Sequence, residues 1–305
     1  MTTATVPPAQ RRRFHVAPYA LLIPAVAILL AALAYPVGWQ IVTSLKQYGL
    51  AQQFGQPAPF VGLANYLNLF RDSQIWAVVV RSVAFCLVNA VVTVVIGVAL
   101  AVLMNAVGKA CRLILQIGLL LAWAMPVVAA MTVWVWLFQW HIGVVNWLLN
   151  HIGFNFTNHN WLEKPLSFYL VATIIVVWMS VPFVSFSVYA GLTQISPEVM
   201  EAAQLDGASG WRRFTQITVP MIRPVLMIVL LLQIIWDLRV FTQIRLLQDA
   251  GAPLASTDLL GTYIYRVGTG SSDFGMAAAM SVFVLILTMV LSAPYVRSLM
   301  KEDAA

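Results

Sequence analysis

Charge is scarce in this sequence, because only 9% of its 305 residues are Asp, Glu, Lys or Arg and 61% are hydrophobic. Soluble domains carry charge on about a quarter of their residues, so this deficit argues against a soluble protein. The net charge of +6 lies in short clusters between apolar blocks, with no basic face and no interleaved aromatic residues. That distribution argues against nucleic-acid binding.

Residues for metal, redox or ATP chemistry are also lacking. The two cysteines, Cys86 and Cys111, do not have CxxC spacing, and the histidines have no HExxH motif or accompanying carboxylates. The sequence contains no G-x-x-x-x-G-K-[ST] phosphate loop and no nucleophile–base constellation placed for catalysis. We therefore expect no catalytic residue, no metal site and no cofactor in this chain.

Long apolar runs make up most of the sequence. A membrane-spanning helix needs about 20 mostly apolar residues, and six segments qualify: 17–44, 76–104, 114–139, 166–193, 222–246 and 275–298. The first could instead be a secretory signal peptide, but its apolar run exceeds the roughly 7–15 residues of such a peptide, so we favour an uncleaved helix. The sequence predicts an all-α, polytopic membrane protein with six transmembrane helices.

Lysine and arginine residues in the short connections indicate the orientation of such a chain. With the N-terminus inside, ten of them fall on the cytoplasmic side: Arg11, Arg12, Arg13, Lys109, Arg112, Arg212, Arg213, Arg223, Arg297 and Lys301. Four fall outside: Lys46, Arg71, Lys164 and Arg266. This predicts a basic cytoplasmic tail at 1–16, a transmembrane domain at 17–298 and a cytoplasmic tail at 299–305. The connection 194–221 is then cytoplasmic.

The connection 194–221 is polar and carries helix signals. Ser196–Glu198 indicate a helix start, with Ser as N-cap, Pro at the first helical position and an acid in the first turn. Asp206–Gly207 should end this helix, because Gly readily adopts the left-handed conformation. Ser209 can cap a second short helix that places Trp211, Phe214 and Ile217 on one face. This helix–turn–helix either lies on lipid headgroups or docks into a groove on a soluble partner.

One motif in this connection resembles a known signature. Glu201–Ala203, three residues, Gly207, nine residues and Ile217–Pro220 resemble the EAA signature of binding-protein-dependent ABC import permeases. That signature reads EAA, three residues, G, nine residues, I, any residue, L, P, and the one departure is Val219 in place of Leu. Other stretches resemble the sugar-permease group of that family: Phe60–Tyr66, Ser256–Leu260, Tyr263–Tyr265 and Gly275–Ala279.

The resemblance covers most of the chain and implies an ABC importer permease fold with a cytoplasmic coupling loop. It also implies partners: a second permease subunit, two ATPase subunits that carry ATP and Mg, and an extracytoplasmic solute-binding protein or lipoprotein. The chain would be the first permease of the pair. It would move a sugar or oligosaccharide inward across the cytoplasmic membrane, without an ATPase site of its own. Permeases for glycerol-3-phosphate, glycerophosphodiesters or polyols are the alternatives within the family, and an ion-coupled secondary transporter is the alternative outside it.

The resemblance also assigns roles to residues of the coupling loop. Glu201 is expected to pair with a basic residue of the ATPase, and the small side chains of Ala202 and Ala203 let the helix pack closely. Gly207 is expected to make the turn, beside Asp206 as a possible cap. The full set of expected coupling residues is Glu201, Ala202, Ala203, Asp206, Gly207, Ile217 and Pro220.

Polar residues inside the fourth and fifth spans are candidates for the substrate path, because ionisable groups in spans are costly and tend to be functional. The candidates are Gln233, Asp237, Arg239, Gln243 and Trp178, the last of which offers an aromatic face to a carbohydrate. Asp237 and Arg239 point about 200° apart on a helix, so at least one should face the interior. Alternatively, these side chains tie helices together or lie at the membrane interface.

Overall fold

The structure, a computed structural model, describes residues 16–302 as an assembly of helices. In chain order these are α1 (Val16–Leu29), α2 (Tyr35–Ser44), α3 (Leu50–Gln53), α4 (Ala64–Arg71), α5 (Ser73–Ala106), α6 (Lys109–Ala124), α7 (Val127–Leu137), α8 (Val144–His151), α9 (Pro165–Leu192), α10 (Pro197–Leu205), α11 (Gly210–Arg213), α12 (Val219–Met221), α13 (Arg223–Leu238), α14 (Thr242–Asp249), α15 (Leu254–Thr257), α16 (Leu260–Tyr265) and α17 (Phe274–Glu302). Three π-helical turns join or extend them, at Leu30–Ala34, Phe214–Thr218 and Arg266–Gly270.

Five helical stretches are long and apolar enough to cross a membrane: Leu21–Ser44, Ser73–Ala106, Pro165–Leu192, Arg223–Asp249 and Phe274–Arg297. They coincide with the first, second, fourth, fifth and sixth predicted spans, and the predicted all-α, polytopic fold is confirmed. The last helix continues to Glu302, so the predicted C-terminal tail begins as helix. The predicted basic tail with Arg11–Arg13 lies outside the described residues.

The third predicted span, 114–139, is not a single straight helix. It consists of α6 and α7, whose axes are bent by 100° at a short break. Met125 has an extended backbone (φ −69°, ψ 127°) and is followed by Pro126. A proline lacks the backbone N–H and disfavours helical geometry in the preceding residue, which explains why the helix ends there. Residues 16–302, which the structure describes, contain six candidate spans if this bent pair counts as one.

Helices α5 and α9 pack side by side through the centre of the bundle. Phe85 faces Tyr169 with ring centroids 5.7 Å apart, and Gly97 contacts Val184 further along both helices. Because both sets of residue numbers rise together, the two helices run in the same direction. Helix α13 packs against α5, where the Cys86 thiol donates to the Ile234 carbonyl oxygen at 3.4 Å. The end of α5, the start of α6 and the end of α9 therefore lie on one side of the bundle.

The contact between α5 and α9 depends on a residue without a side chain. A Cβ atom on Gly97 would lie 2.5 Å from Val184 Cγ1, whereas one on Gly118 of α6 would have no atom within 4 Å. We expect Gly97→Ala to lower the midpoint of thermal unfolding, because overpacking costs about 1–3 kcal/mol. Gly118→Ala is the matched control and should leave the midpoint unchanged or raised, since Ala favours helix by up to ~1 kcal/mol over Gly. Unfolding of both variants is followed by tryptophan fluorescence. Equal midpoints of thermal unfolding for the two variants would contradict this contact.

Polar contacts hold the loops together on the side of the bundle opposite the connection 194–221. They involve residues of the stretches that resemble sugar permeases. The Asn65 side chain donates to the backbone oxygens of Ser44 at 2.8 Å and Lys46 at 3.0 Å. In the later stretch, Asp258 is buried and forms an ion pair with Arg266 at 2.7 Å. These residues have structural roles, since each one fastens a loop to a helix.

Candidate functional site

The connection 194–221 forms the predicted helix–turn–helix. Helix α10 ends at Leu205, and Gly207 adopts the left-handed conformation with φ +74°. The Ser209 hydroxyl oxygen accepts a hydrogen bond from the backbone N–H of Arg212 at 3.3 Å, so the predicted cap of α11 is confirmed. A π-helical turn, Phe214–Thr218, then leads into α12 and the fifth span.

The start of α10 differs from the predicted N-cap in one respect. Ser196 occupies the N-cap position with extended backbone, and Pro197 follows as predicted, but the serine side chain does not cap the helix. Its hydroxyl instead donates to the carboxylate of Glu198, and this hydrogen bond holds the pKa of Glu198 below its usual range. The cap prediction was wrong here because the acid in the first turn competes for the hydroxyl.

The coupling residues occupy a folded and largely exposed surface. Glu201 and Ala202 are exposed while Ala203 is buried, so α10 presents one face outward and rests on the other. The Glu201 carboxylate makes no hydrogen bond or ion pair with any residue that the structure describes. Asp206 caps α10 through its backbone N–H, which donates to the Ala202 carbonyl oxygen at 3.0 Å. Ile217 is half-buried in the π-helical turn, and Pro220 is exposed in α12.

Two large apolar side chains stand out on this polar loop. Leu205 is 90% exposed at the end of α10, and Trp211 is 75% exposed in α11. The Trp211 ring lies beside Phe214, with centroids 6.0 Å apart. Two such side chains on one folded polar connection are candidates for contact with another protein or with lipid.

Gln233 and Asp237 lie inside the bundle on α13. The Gln233 amide donates to Asp237 Oδ1 at 2.9 Å, and the two residues are 0% and 3% exposed. One oxygen of each side chain, Gln233 Oε1 and Asp237 Oδ2, has no hydrogen-bond partner. They share the buried side of α13 with Ile234, which contacts Cys86 of α5. Neither residue lines the cavity at Arg239 or the groove at Trp178.

Arg239 points away from Asp237, as the roughly 200° between them on a helix predicts. It follows the last residue of α13 and lines a cavity of about 350 Å³ between α2, α13 and α17. Its guanidinium group makes no hydrogen bond or ion pair with any described residue. The other polar side chains in this cavity are Gln40, Ser281 and Thr288. Sequence reasoning missed these three, although Ser281 and Thr288 lie one heptad apart and so share a helix face.

The remaining two path candidates lie elsewhere. Trp178 lines an apolar groove of about 460 Å³ between α5, α6 and α9, and its ring packs edge-on against Trp134 at 5.5 Å. The Gln243 side chain, on α14, contacts Met179 Sδ at 3.6 Å. The five candidates therefore do not line one pocket, and a role for them in transport stays a prediction.

A bundle of apolar helices that presents a folded, exposed helix–turn–helix on one connection has the architecture of a membrane transport subunit. Comparison with known families agrees with this class. Residues 93–297 match the family described as the inner membrane component of binding-protein-dependent transport systems. The chain belongs to this family, which consists of transport subunits, and the alternative of an ion-coupled secondary transporter is thereby set aside.

Relatives and solved structures extend the comparison over nearly the whole chain. The chain is 39% identical to the diacetylchitobiose uptake system permease protein DasB of Streptomyces coelicolor, over 97% of this chain and 90% of that protein. It is 31% identical to the trehalose/maltose transport system permease protein MalF of Thermococcus litoralis, over 92% of each chain. A bacterial ABC transporter that imports the acidic polysaccharide alginate has a chain with a TM-score of 0.75 and 25% identity, covering 93% of this chain and 95% of that one.

Proposed function

We propose that this chain is the transmembrane permease subunit of an ABC importer and moves a sugar or oligosaccharide inward across the cytoplasmic membrane. The observation that carries the proposal is the folded coupling loop. Its EAA residues are arranged around the left-handed Gly207, and its exposed Glu201 carboxylate has no partner among the described residues. The sugar class is supported by the relatives that handle diacetylchitobiose and trehalose/maltose.

The same proposal specifies the partners. A second permease completes the path, two ATPase subunits hold ATP and Mg, and an extracytoplasmic solute-binding protein or lipoprotein delivers the sugar. The coupling loop lies on the cytoplasmic side, as do both chain termini. A solved relative with 24% identity and a TM-score of 0.78 is an alginate ABC transporter in complex with a periplasmic protein that holds an alginate pentasaccharide, and it supports the fold that such a complex requires.

The test is reconstitution of transport. The tagged chain is purified from membranes with the subunits that co-purify with it and is inserted into proteoliposomes with the solute-binding protein. We expect uptake of a labelled disaccharide that requires ATP and stops when ATP is omitted. Uptake driven by an ion gradient in the absence of ATP, or a purified chain with no ATPase bound to it, would contradict the proposal.

The exposed apolar side chains of the coupling loop fit an anchoring role in the contact with the ATPase. Fully burying a Leu side chain contributes about 1.5–3 kcal/mol, and Trp is enriched among the residues that dominate protein interfaces. Leu205 and Trp211 flank the turn at Gly207 on either side, so a single groove on the ATPase can receive both. Glu201, one turn of helix before Leu205, would add a charged contact beside them.

We expect Trp211→Ala and Leu205→Ala to weaken the binding of the ATPase by roughly tenfold or more each, because loss of such an anchor costs about 2 kcal/mol. Gln204→Ala is the matched control, since this residue is exposed on the same helix but is polar. Titration of the purified ATPase into permease in nanodiscs measures the affinity. Equal affinities for the three variants would show that the apolar pair is not the anchor.

We further propose that the cavity at Arg239 forms part of the substrate path. An unpaired guanidinium group facing lipid would be costly, so Arg239 must face water, a solute or a partner. The cavity volume of about 350 Å³ lies in the usual range for small-molecule sites. Its polar side chains offer N–H and O–H donors to the hydroxyl oxygens of a sugar, and its apolar lining suits the C–H faces.

A further inference from the structure

Helix α8 buries the polar residue Asn146 and exposes several of its apolar residues, beside the exposed Asn150 and His151 at its end. Asn146 is buried, and its amide donates to the carbonyl oxygens of Trp140 at 3.1 Å and His159 at 2.9 Å. The same side chain accepts from Trp161 Nε1 at 2.6 Å. The outward face carries Val144, Trp147 and Leu148, and Ile152 continues it. A helix that borders water alone exposes its polar residues and buries its apolar ones, so water alone does not explain why these apolar residues are exposed.

The position of α8 relative to the membrane follows from the helices before it. The 16 residues of α6 span about 24 Å, which is less than the ~30 Å of the hydrocarbon core. Helix α6 starts on the same side of the bundle as the coupling loop, so its end at Ala124 lies within the opposite leaflet. Helix α7 is bent by 100° from α6, so it runs nearly perpendicular to α6 and advances little beyond the depth at which α6 ends. Helix α8 follows after six residues.

Exposed apolar side chains recur along the chain from the bent pair to α8. The large ones in order are Val128, Val133, Trp136, Trp140, Ile142, Val144, Trp147, Leu148, Ile152 and Phe154. The polar residues Thr132, Gln139, His141, Asn150 and His151 are exposed between them. Between Arg112 and Glu163 the sequence contains no Asp, Glu, Lys or Arg. A surface that begins on a membrane-embedded helix, exposes many apolar side chains and carries no acidic residue, Lys or Arg is suited to contact with the same lipid.

We propose that α8 is an interfacial anchor, which lies in the outer leaflet with Val144, Trp147 and Leu148 against lipid. Tryptophan is enriched at membrane–water interfaces, and helices with one apolar face lie in the plane of the interface. The inner side of α8 is fixed to the bundle by Asn146 and by Val145 and Leu149, which pack against the hydrophobic core. Lipid on one side and the bundle on the other thus hold the bent pair α6–α7 at a defined depth.

Spin labels measure the surroundings of this face directly. Leu148→Cys and Ile152→Cys are each labelled with a nitroxide in a Cys111→Ser background, because Cys111 is exposed and Cys86 is buried. Thr157→Cys is the control, since its side chain is exposed in the polar part of the same loop. The full chain, with the subunits that co-purify with it, is placed in nanodiscs of phosphatidylethanolamine and phosphatidylglycerol. Collision rates with oxygen and with a water-soluble nickel chelate are then compared.

We expect the labels at positions 148 and 152 to collide with oxygen several-fold more often than with the nickel chelate, and the label at 157 to show the opposite ratio. Nickel collisions at 148 and 152 as frequent as those at 157 would place α8 in water and overturn the proposal. Exclusion of both reagents would also overturn it, because the face would then be covered by protein. Two labelled positions are used so that one variant that fails to assemble still leaves a measurement.

Discussion

The Gly207→Val variant is expected to assemble into a complex but to lose ATP-driven uptake by about 5–30-fold. Gly207 has φ +74°, a conformation that costs other L-residues about 1–2 kcal/mol and that β-branched residues rarely adopt. The strain falls on the turn between α10 and α11, which sets the angle at which the two helices meet the ATPase. The variant should therefore hydrolyse ATP with less transport per ATP.

The chain provides a close control in Gly210→Val. Both glycines are exposed, and a Cβ on either one would meet no atom within 4 Å, but only Gly207 has a positive φ. Uptake and ATP hydrolysis are measured in the same proteoliposomes. If the Gly207 variant transported as much sugar per ATP as the Gly210 variant does, the turn would have no part in coupling.

Replacement of Arg239 by Met is expected to have the second large effect, a rise of roughly 10–100-fold in the KM for sugar uptake. The guanidinium group faces the cavity without a partner in the described chain, and hydrogen bonds to a charged group contribute about 1.5–3 kcal/mol. Arg239→Lys should recover only part of the affinity, because an ammonium group lacks the planar fork of donors.

The readouts separate a transport role from an assembly role. Gel filtration shows whether the Arg239→Met variant retains its subunits, and uptake over a range of sugar concentrations gives KM and the maximal rate. An intact complex with unchanged KM and rate would remove Arg239 from the path. A complex that falls apart would show that Arg239 pairs with the second permease instead. Arg245→Met is the control. Arg245 lies on the next helix, α14, and already pairs there with Asp249 at 2.8 Å.

Local chemistry explains what the sequence predicted correctly. The turn at Gly207 and the cap at Ser209 depend on residues within four positions of each other, so the signal lies in the sequence itself. The apolar spans were recognisable for a similar reason, since each is a continuous run. The coupling loop was thus predictable in outline, although the hydroxyl of Ser196 took a different partner and Phe214–Thr218 form a π-helical turn.

Features that depend on distant residues were not predictable in the same way. The bend between α6 and α7 had a visible signal in Pro126, but a proline inside an apolar run does not reveal an angle of 100°. Helix α13 ends at Leu238, although no proline or glycine in the sequence indicates an end there. Whether Asp237 or Arg239 faces a cavity depends on which side of α13 packs against α5, and that is a property of the whole bundle.

The coupling loop has a further consequence because it is already folded in the isolated chain. Ordering a residue costs about 1–2 kcal/mol of backbone entropy, and the chain meets this cost when it folds and not when it meets its partner. A synthetic peptide of residues 196–220 would have to order itself on binding, so it should be a poor competitor for the same groove. An inhibitor of this contact should therefore be a rigid mimic of the two helices and the turn.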